Sequence, residues 1–508
     1  MSEAEETDSG PPWQLRSIVI AGGGTAGWMA ASYLAKRLEG RNVRITVIES
    51  SAIGTVGVGE ATVPGIRDFL RVLDVTEHEV MAATQGTAKL GIEFVDWKHP
   101  GTRFFHPFGL YGMRSRGVAF HHYVRKLRQA GHEIDIGDYC LATAMARRDL
   151  FMQPTDRPVH DLLYFDWALH FDAALFARFL RAKAMEWGVS HLDATITCVR
   201  TDETSGHICA LDTDRGETVA GDFFIDCTGF RALLIGEALG IPYEEWTNLL
   251  PCDRAVAVPC VRREALTPYT RSTALSAGWQ WRIPLRHRVG NGYVCASRHL
   301  SDDEATATLL ARLEGEALAE PNAIRFRTGR RSAFWHRNCV ALGLAAGFME
   351  PLESTSITLI QTGLEKLLGL LPDRRFDPAL EDEYNRTTAL EYERIRDFLI
   401  LHYVANTRRG EPMWDRCRST ALPPMLANKL RLYKARGHLV RYDWESFQDP
   451  SWISMYEGFD IQPVTYDLAA DHFSEADLAA ALDRMRSSIA DAVDLAEPHE
   501  TYLNVLYR

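Results

Sequence analysis

A short apolar run at residues 17–20 feeds directly into Gly22, Gly24 and Gly27, and this feature restricts the N-terminal part of the chain to very few folds. Glycines at those spacings let the backbone turn tightly and let a phosphate approach the main chain, while the helix that follows points its positive end at the same place. A helical stretch at residues 28–38 and a second β-like run at 43–48 complete the order strand, turn, helix, strand. The second run ends in Glu49, 22 residues beyond Gly27, where a carboxylate can take the hydroxyls of a ribose. The glycine spacing alone is weak, because a packing turn produces it too. With strand, helix and acid all in place it predicts a dinucleotide cradle built from Gly22, Gly24, Thr25, Ala26, Gly27 and Glu49.

Charge narrows the partners. Lys plus Arg number 56 against 68 Asp plus Glu, and the net charge of -12 repels nucleic acid phosphates and anionic lipid. Small-molecule chemistry is expected, with neither nucleic acid nor membrane as a partner. The most apolar run, residues 339–349, is about half the length a helix needs to cross a bilayer. Nine scattered cysteines, never spaced as CxxC, read as reduced thiols of a cytoplasmic protein rather than a disulfide framework or a metal site. Residues 1–12, acidic and polar without the regions of a secretory signal, read as a disordered tail.

Helical and strand patterns alternate through the middle of the chain, with a helix expected at 172–187 and strands at 194–200, 207–211 and 222–227. Residues 13–375 therefore read as one α/β module. From residue 377 a long helical stretch to 406 and an aromatic-rich remainder suggest a mainly helical region, 376–508, completing the substrate site. Residues 221–230 resemble the late strand and turn of FAD-dependent aromatic monooxygenases, and 341–348 their flavin-contacting strand and helix start. These resemblances add Asp226 and Gly347 to the cofactor contacts and imply a Rossmann-type FAD domain with a helical cap. No second glycine-rich unit serves a nicotinamide, and Gly290-Asn291-Gly292 reads as a simple turn. Reduced flavin is then expected from a separate flavin reductase.

Several motifs resemble the flavin-dependent tryptophan halogenase family: Trp279-Gln280-Trp281-Arg282-Ile283-Pro284, the glycine run Gly22 to Trp28, Val58-Gly59-Glu60-Ala61-Thr62-Val63-Pro64, the segment around Lys89, and Glu350-Pro351-Leu352-Glu353-Ser354-Thr355-Ser356. The resemblance runs from Ser17 to about Tyr403. On a strand, Trp279, Trp281 and Ile283 share one face and form a bulky apolar wall, which an ordinary aromatic core strand would also give. The family resemblance makes that wall, with Pro284, a barrier between an organic substrate and the flavin. It also implies halide as co-substrate and Lys89 as the carrier of electrophilic halogen, either hydrogen-bonded to hypohalous acid or as a haloamine. By its residues alone, Lys89 reads first as a surface lysine with a buried stem, and the family segment reverses that order.

Removing the ring proton is carboxylate chemistry. Glu353 matches the family's catalytic glutamate, with Glu350 the competing choice three residues earlier. Thr355 and Ser356, at the start of an apolar helix expected at 357–371, are the implied halide site. The family has glycine where this chain has Ser356, so a positive φ there would strain the serine. His106 and Phe108, with Phe104, Phe105 and Pro107, suggest an aromatic slot for a flat ring, although His106 is as readily a structural histidine. Members acting on free tryptophan carry paired tyrosines, a glutamate and a Phe-Trp pair near the C-terminus. Here Tyr442 is followed by Asp443, then Glu445, Phe447, Ser451 and Trp452. That departure favours an indole-like substrate; separately, a monomer or homodimer is expected. A flavin hydroxylase and a non-catalytic flavoprotein are the competing readings.

Overall fold

The computed structural model describes residues 11–52, 59–155 and 158–507. The expected N-terminal tail lies outside these apart from Pro11 and Pro12, as does Val58. The strand Ser17–Ala21 is buried along its whole length, as the centre of a parallel sheet requires. It pairs in parallel with Arg44–Glu49 on one side and Phe223–Asp226 on the other. Ser190–Asp193 and Cys339–Ala341 extend the sheet in parallel, and Trp335–His336 adds an antiparallel edge, six strands in all. The helix of the glycine unit runs Thr25–Arg37, so Gly27 lies in its first turn rather than before it.

A second sheet carries seven strands in the order Asn322–Arg325, Arg254–Cys260, Val289–Cys295, Gly278–Pro284, Thr270–Leu275, Gly91–Val95 and Arg103–Pro107. Gly290-Asn291-Gly292 belongs to its interior and not to a turn. Gly292 faces Trp281 across the ladder, and a Cβ there would sit 2.0 Å from the indole ring, so this glycine is room for a tryptophan. A small sheet of Gly59–Ala61, Ala168–Asp172 and Thr87–Lys89 ties the Glu60 motif to the strand carrying Lys89.

Residues 341–348 do not start a helix. Gly343, at φ +61, turns the chain through the short 3-10 segment Gly343–Ala345 into the strand Gly347–Phe348. A Cβ on Gly343 would meet Ala26 Cβ at 2.7 Å, so this turn packs directly on the glycine-unit helix.

From residue 377 the described elements are helices apart from the two-residue strand Glu497–Pro498. The longest, Pro378–Val404, starts where the Asp377 side chain accepts from the Ala379 amide and Pro378 occupies a position whose N–H has no helical partner. Its last turns, from Phe398 to Tyr403, are buried throughout and carry His402 into the core. No described helix is long and apolar enough to cross a membrane.

Candidate active site

Gly22, Gly24, Thr25, Ala26, Glu49 and Gly347 line one cleft. Gly22 adopts φ +102, which favours glycine, and a Cβ on Gly24 would meet nothing within 4 Å, so the backbone there is open to a ligand. No side chain caps the helix that begins at Thr25, which leaves its first amides available to an anion. Glu49 is held by Arg181 at 2.9 Å and by Trp28 Nε1 at 3.2 Å. An open glycine turn, uncapped amides and a fixed carboxylate at the end of the neighbouring strand fit a flavin dinucleotide.

Two expected cofactor contacts, Gly27 and Asp226, are not among the residues that line the cleft. Gly27 packs against the turn, where a Cβ would lie 1.9 Å from the Gly22 carbonyl oxygen. Asp226 is fully buried and spends its carboxylate on Thr228 N and Oγ1 and on the Leu234 and Ile235 amides, at 2.6–3.0 Å. It shapes the following turn, whose Cys227, Thr228 and Gly229 do line the cleft.

Trp279, Trp281 and Ile283 line the same cleft together, as strand alternation requires. The two indole rings lie 6.2 Å apart, and Trp279 Nε1 donates to Glu350 at 2.6 Å. Pro284 belongs to the other face, and its carbonyl accepts from Thr87 Oγ1 at 2.7 Å, linking the tryptophan strand to the lysine strand.

Lys89 is completely buried, which resolves its two readings against the surface. Its Nζ donates to the Thr62 carbonyl at 2.8 Å and to Ser354 Oγ at 2.9 Å, and sits 5.2 Å from the centre of the Phe108 ring. Burial pulls the ammonium down to about 7, only partly offset by the nearby Glu353 carboxylate. Ser354 also lines the flavin cleft, so one hydroxyl joins the cleft to the lysine.

Glu353 is clamped by two imidazoles: His106 Nδ1 at 2.9 Å from Oε2 and His402 Nε2 at 2.8 Å from Oε1. Burial pushes its carboxyl up, but the charge and hydrogen bonds of the two histidines outweigh that and bring it to about 2. His106 thus holds Glu353 through Nδ1, with its ring 5.9 Å from that of Phe398 and 6.2 Å from that of Phe447. Glu350 is bonded through Oε2 to Trp279 and to Tyr403 Oη, the latter at 2.5 Å. Burial pushes its carboxyl up to about 7 despite these two donors.

The helix Thr355–Gly369 begins two residues earlier than expected and has no side-chain cap. The strained position is Ser354, at φ 60 and ψ 36, and not Ser356, which lies within the first turn and lines the cleft. Thr355 Oγ1 is buried with no hydrogen-bond partner among the described residues. Ser354 stands in the run expected to serve halide, whereas no sequence pattern marks the parts played by Thr62, His402 and Tyr403. Thr62 acts through its backbone carbonyl, which no side-chain pattern reveals, and His402 and Tyr403 meet the glutamates across about fifty residues of chain.

A dinucleotide cleft walled by tryptophans, one of whose lining serines bonds a buried lysine beside a histidine-clamped carboxylate, defines a flavin-dependent oxidoreductase. The tryptophan halogenase family profile matches residues 17–475, and the chain belongs to that family of halogenating flavoenzymes. It is 38% identical over 444 residues to tryptophan 6-halogenase SttH of Streptomyces toxytricini, covering 82% of this chain and 84% of the relative. The solved structure of BrvH, a flavin-dependent halogenase from Brevundimonas sp. BAL3, superimposes with a TM-score of 0.95 at 49% identity, covering 97% of this chain and all of that one. Xcc4156, a flavin-dependent halogenase from Xanthomonas campestris, follows with a TM-score of 0.93, 43% identity and coverage of 97% and 98%.

Proposed function

We propose that the protein halogenates an electron-rich, indole-like aromatic ring, using FADH2 from a separate flavin reductase, oxygen, and chloride or bromide. The observation that carries this reading is the position of Lys89: a fully buried amine, bonded to a serine of the flavin cleft and in the field of Glu353. Reduced flavin held by the glycine turn and Glu49 would supply, through its reaction with oxygen, the two-electron oxidant that turns halide into hypohalous acid. The residues of the chain do the rest.

Trp279, Trp281 and Ile283 fill the volume beside the cleft and keep an organic ring from it. The uncapped helix start at Thr355 and Ser356, with one buried hydroxyl lacking a partner, supports halide binding there without a metal. Lys89 holds the electrophilic halogen, as a hydrogen-bonded acid or a haloamine, with Phe108 beside its ammonium. Glu353, ionised and fixed by His106 and His402, stabilises the cationic ring and accepts its proton. In this reading residues 13–375 are the flavin module and 376–508 complete the substrate site, in a cytoplasmic monomer or homodimer.

The C-terminal region supports a substrate without an amino acid group. Glu445 is already bonded to Lys429 at 2.9 Å, whose ammonium sits 4.4 Å from the centre of the Trp452 ring and 5.1 Å from that of Tyr442. A carboxylate and two rings that suit an ammonium therefore have one from the chain itself. Mass spectrometry of products from indole and from tryptophan, with FAD, reductase, NADH, oxygen and halide, tests the whole reading. A halogen isotope pattern on indole and not on tryptophan is expected. A gain of one oxygen without halide replaces the halogenase with a hydroxylase.

A further inference from the structure

The strand that carries His106 also lines a second cavity, of about 460 Å³, through Arg103, Phe104 and Phe105. None of the flavin-cleft residues takes part in it. Three of its four arginines are neutralised within the wall. Arg103 pairs with Glu93 at 3.1 Å, Arg128 forks onto Glu457 at 2.8 and 3.0 Å, and Arg147 bonds Asp135 and Asp138, each at 2.7 Å.

Arg125 is different. It forms no ion pair among the described residues, and its Nε is buried without a hydrogen-bond acceptor. Thr143, only 2% exposed, lines the same cavity; its hydroxyl interacts with the Cys140 thiol, a weak partner, and Oγ1 has no other hydrogen-bond partner among the described residues. A buried polar group without a good partner is unfavourable, more so when charged, so the Arg125 guanidinium and the weakly engaged Thr143 hydroxyl on one lining call for a ligand that accepts from both.

We infer that this cavity is a binding site for a small aromatic monocarboxylate, separate from the halogenating centre. A free guanidinium presents parallel N–H groups that match a carboxylate. The volume far exceeds a halide or a water, and Phe104, Phe105 and Tyr111 supply apolar surface for a flat ring. Asp135, Glu457 and Asp460, which also line the cavity, are each in an ion pair, so the single cation of Arg125 is left to match a single negative charge better than a phosphate dianion. This inference stands on its own residues and does not depend on the substrate proposed above.

Calorimetric titration of the full chain with benzoate, with inorganic phosphate and indole as comparators, tests it. Benzoate is expected to bind saturably and more tightly than either comparator. Arg125→Gln should weaken benzoate at least tenfold, and Thr143→Val severalfold, each in a variant whose circular dichroism and melting match the parent. Lys89→Ala should leave benzoate affinity unchanged, because that lysine belongs to the other site. The inference is overturned if benzoate does not saturate, if phosphate binds more tightly, if both cavity variants bind benzoate like the parent, or if Lys89→Ala abolishes binding. Halogenation of indole is measured separately, so either reading can fail without the other.

Discussion

Glu350 and Glu353 flank a single 3-10 turn, are equally buried, and end in opposite electrostatic states. Glu350 receives hydrogen bonds from two groups that are neutral at ordinary pH, Trp279 and Tyr403, and its second oxygen, Oε1, has no partner among the described residues. Burial therefore dominates, and the carboxyl rises to about 7. Glu353 has an imidazole on each oxygen, and the same burial is overcome, leaving the carboxyl near 2. Equal burial leaves the two carboxyls in different states because only the partners of Glu353 are strong enough to overcome it. The two sides of the turn thus divide the work, with Glu350 behind the tryptophan wall and Glu353 beside Lys89.

The largest effect is expected at the amine in the field of Glu353. Lys89→Ala should leave no halogenated product by mass spectrometry while FAD titration stays as in the parent, and surviving halogenation would remove the lysine from the mechanism. Glu353→Gln keeps the shape but loses the charge and one acceptor, and turnover should fall by roughly 10² or more. Glu350→Gln replaces a carboxyl already close to half neutral at pH 7 with a group that still accepts from Trp279 and Tyr403, so turnover should fall less than about tenfold. If the larger loss follows Glu350→Gln, the division between the two glutamates is reversed. Trp279→Ala should have a mixed effect. It removes a fully buried indole, costing about 3–5 kcal/mol of stability, and opens the wall, so that less halogenated product forms per FADH2 consumed.

The local parts of this site were legible because they are written in short stretches of chain. The glycine turn, the alternation that puts Trp279, Trp281 and Ile283 on one face, and Glu49 at a strand end all follow from backbone geometry. The sequence also placed the long helix after Asp377 nearly to the residue, since Asp377, Pro378 and the later apolar turns mark it. The partners of the glutamates were not legible. His106 reaches Glu353 across 247 residues, and its aromatic neighbours made it read as part of a slot. Asp226 reads as a cofactor contact because an acid before a glycine turn suits that task, whereas in the fold its carboxylate accepts from four N–H and O–H groups of the turn that follows. The strain assigned to Ser356 falls on Ser354, because the helix begins before the position where the apolar pattern does.

The smallest expected effect isolates the electrostatic difference from catalysis. Glu350 titrates near 7 when folded and near 4.5 when exposed, so the folded protein holds the extra proton between those values. Its contribution to stability is complete below about 4.5 and is lost as pH rises through about 7. The Glu353 carboxyl, ionised in both folded and unfolded protein from about pH 5 to 8, contributes no slope of its own across that window, and its stabilisation is lost only as pH falls toward 2. Melting of the parent and of Glu350→Gln should therefore agree most closely near pH 5. The variant should then gain on the parent by up to a few degrees toward pH 8, where the parent must bury an ionised carboxylate. A gap that stays constant with pH would mean that Glu350 is ionised throughout. The turn would then hold two carboxylates, and the contrast would rest on geometry alone.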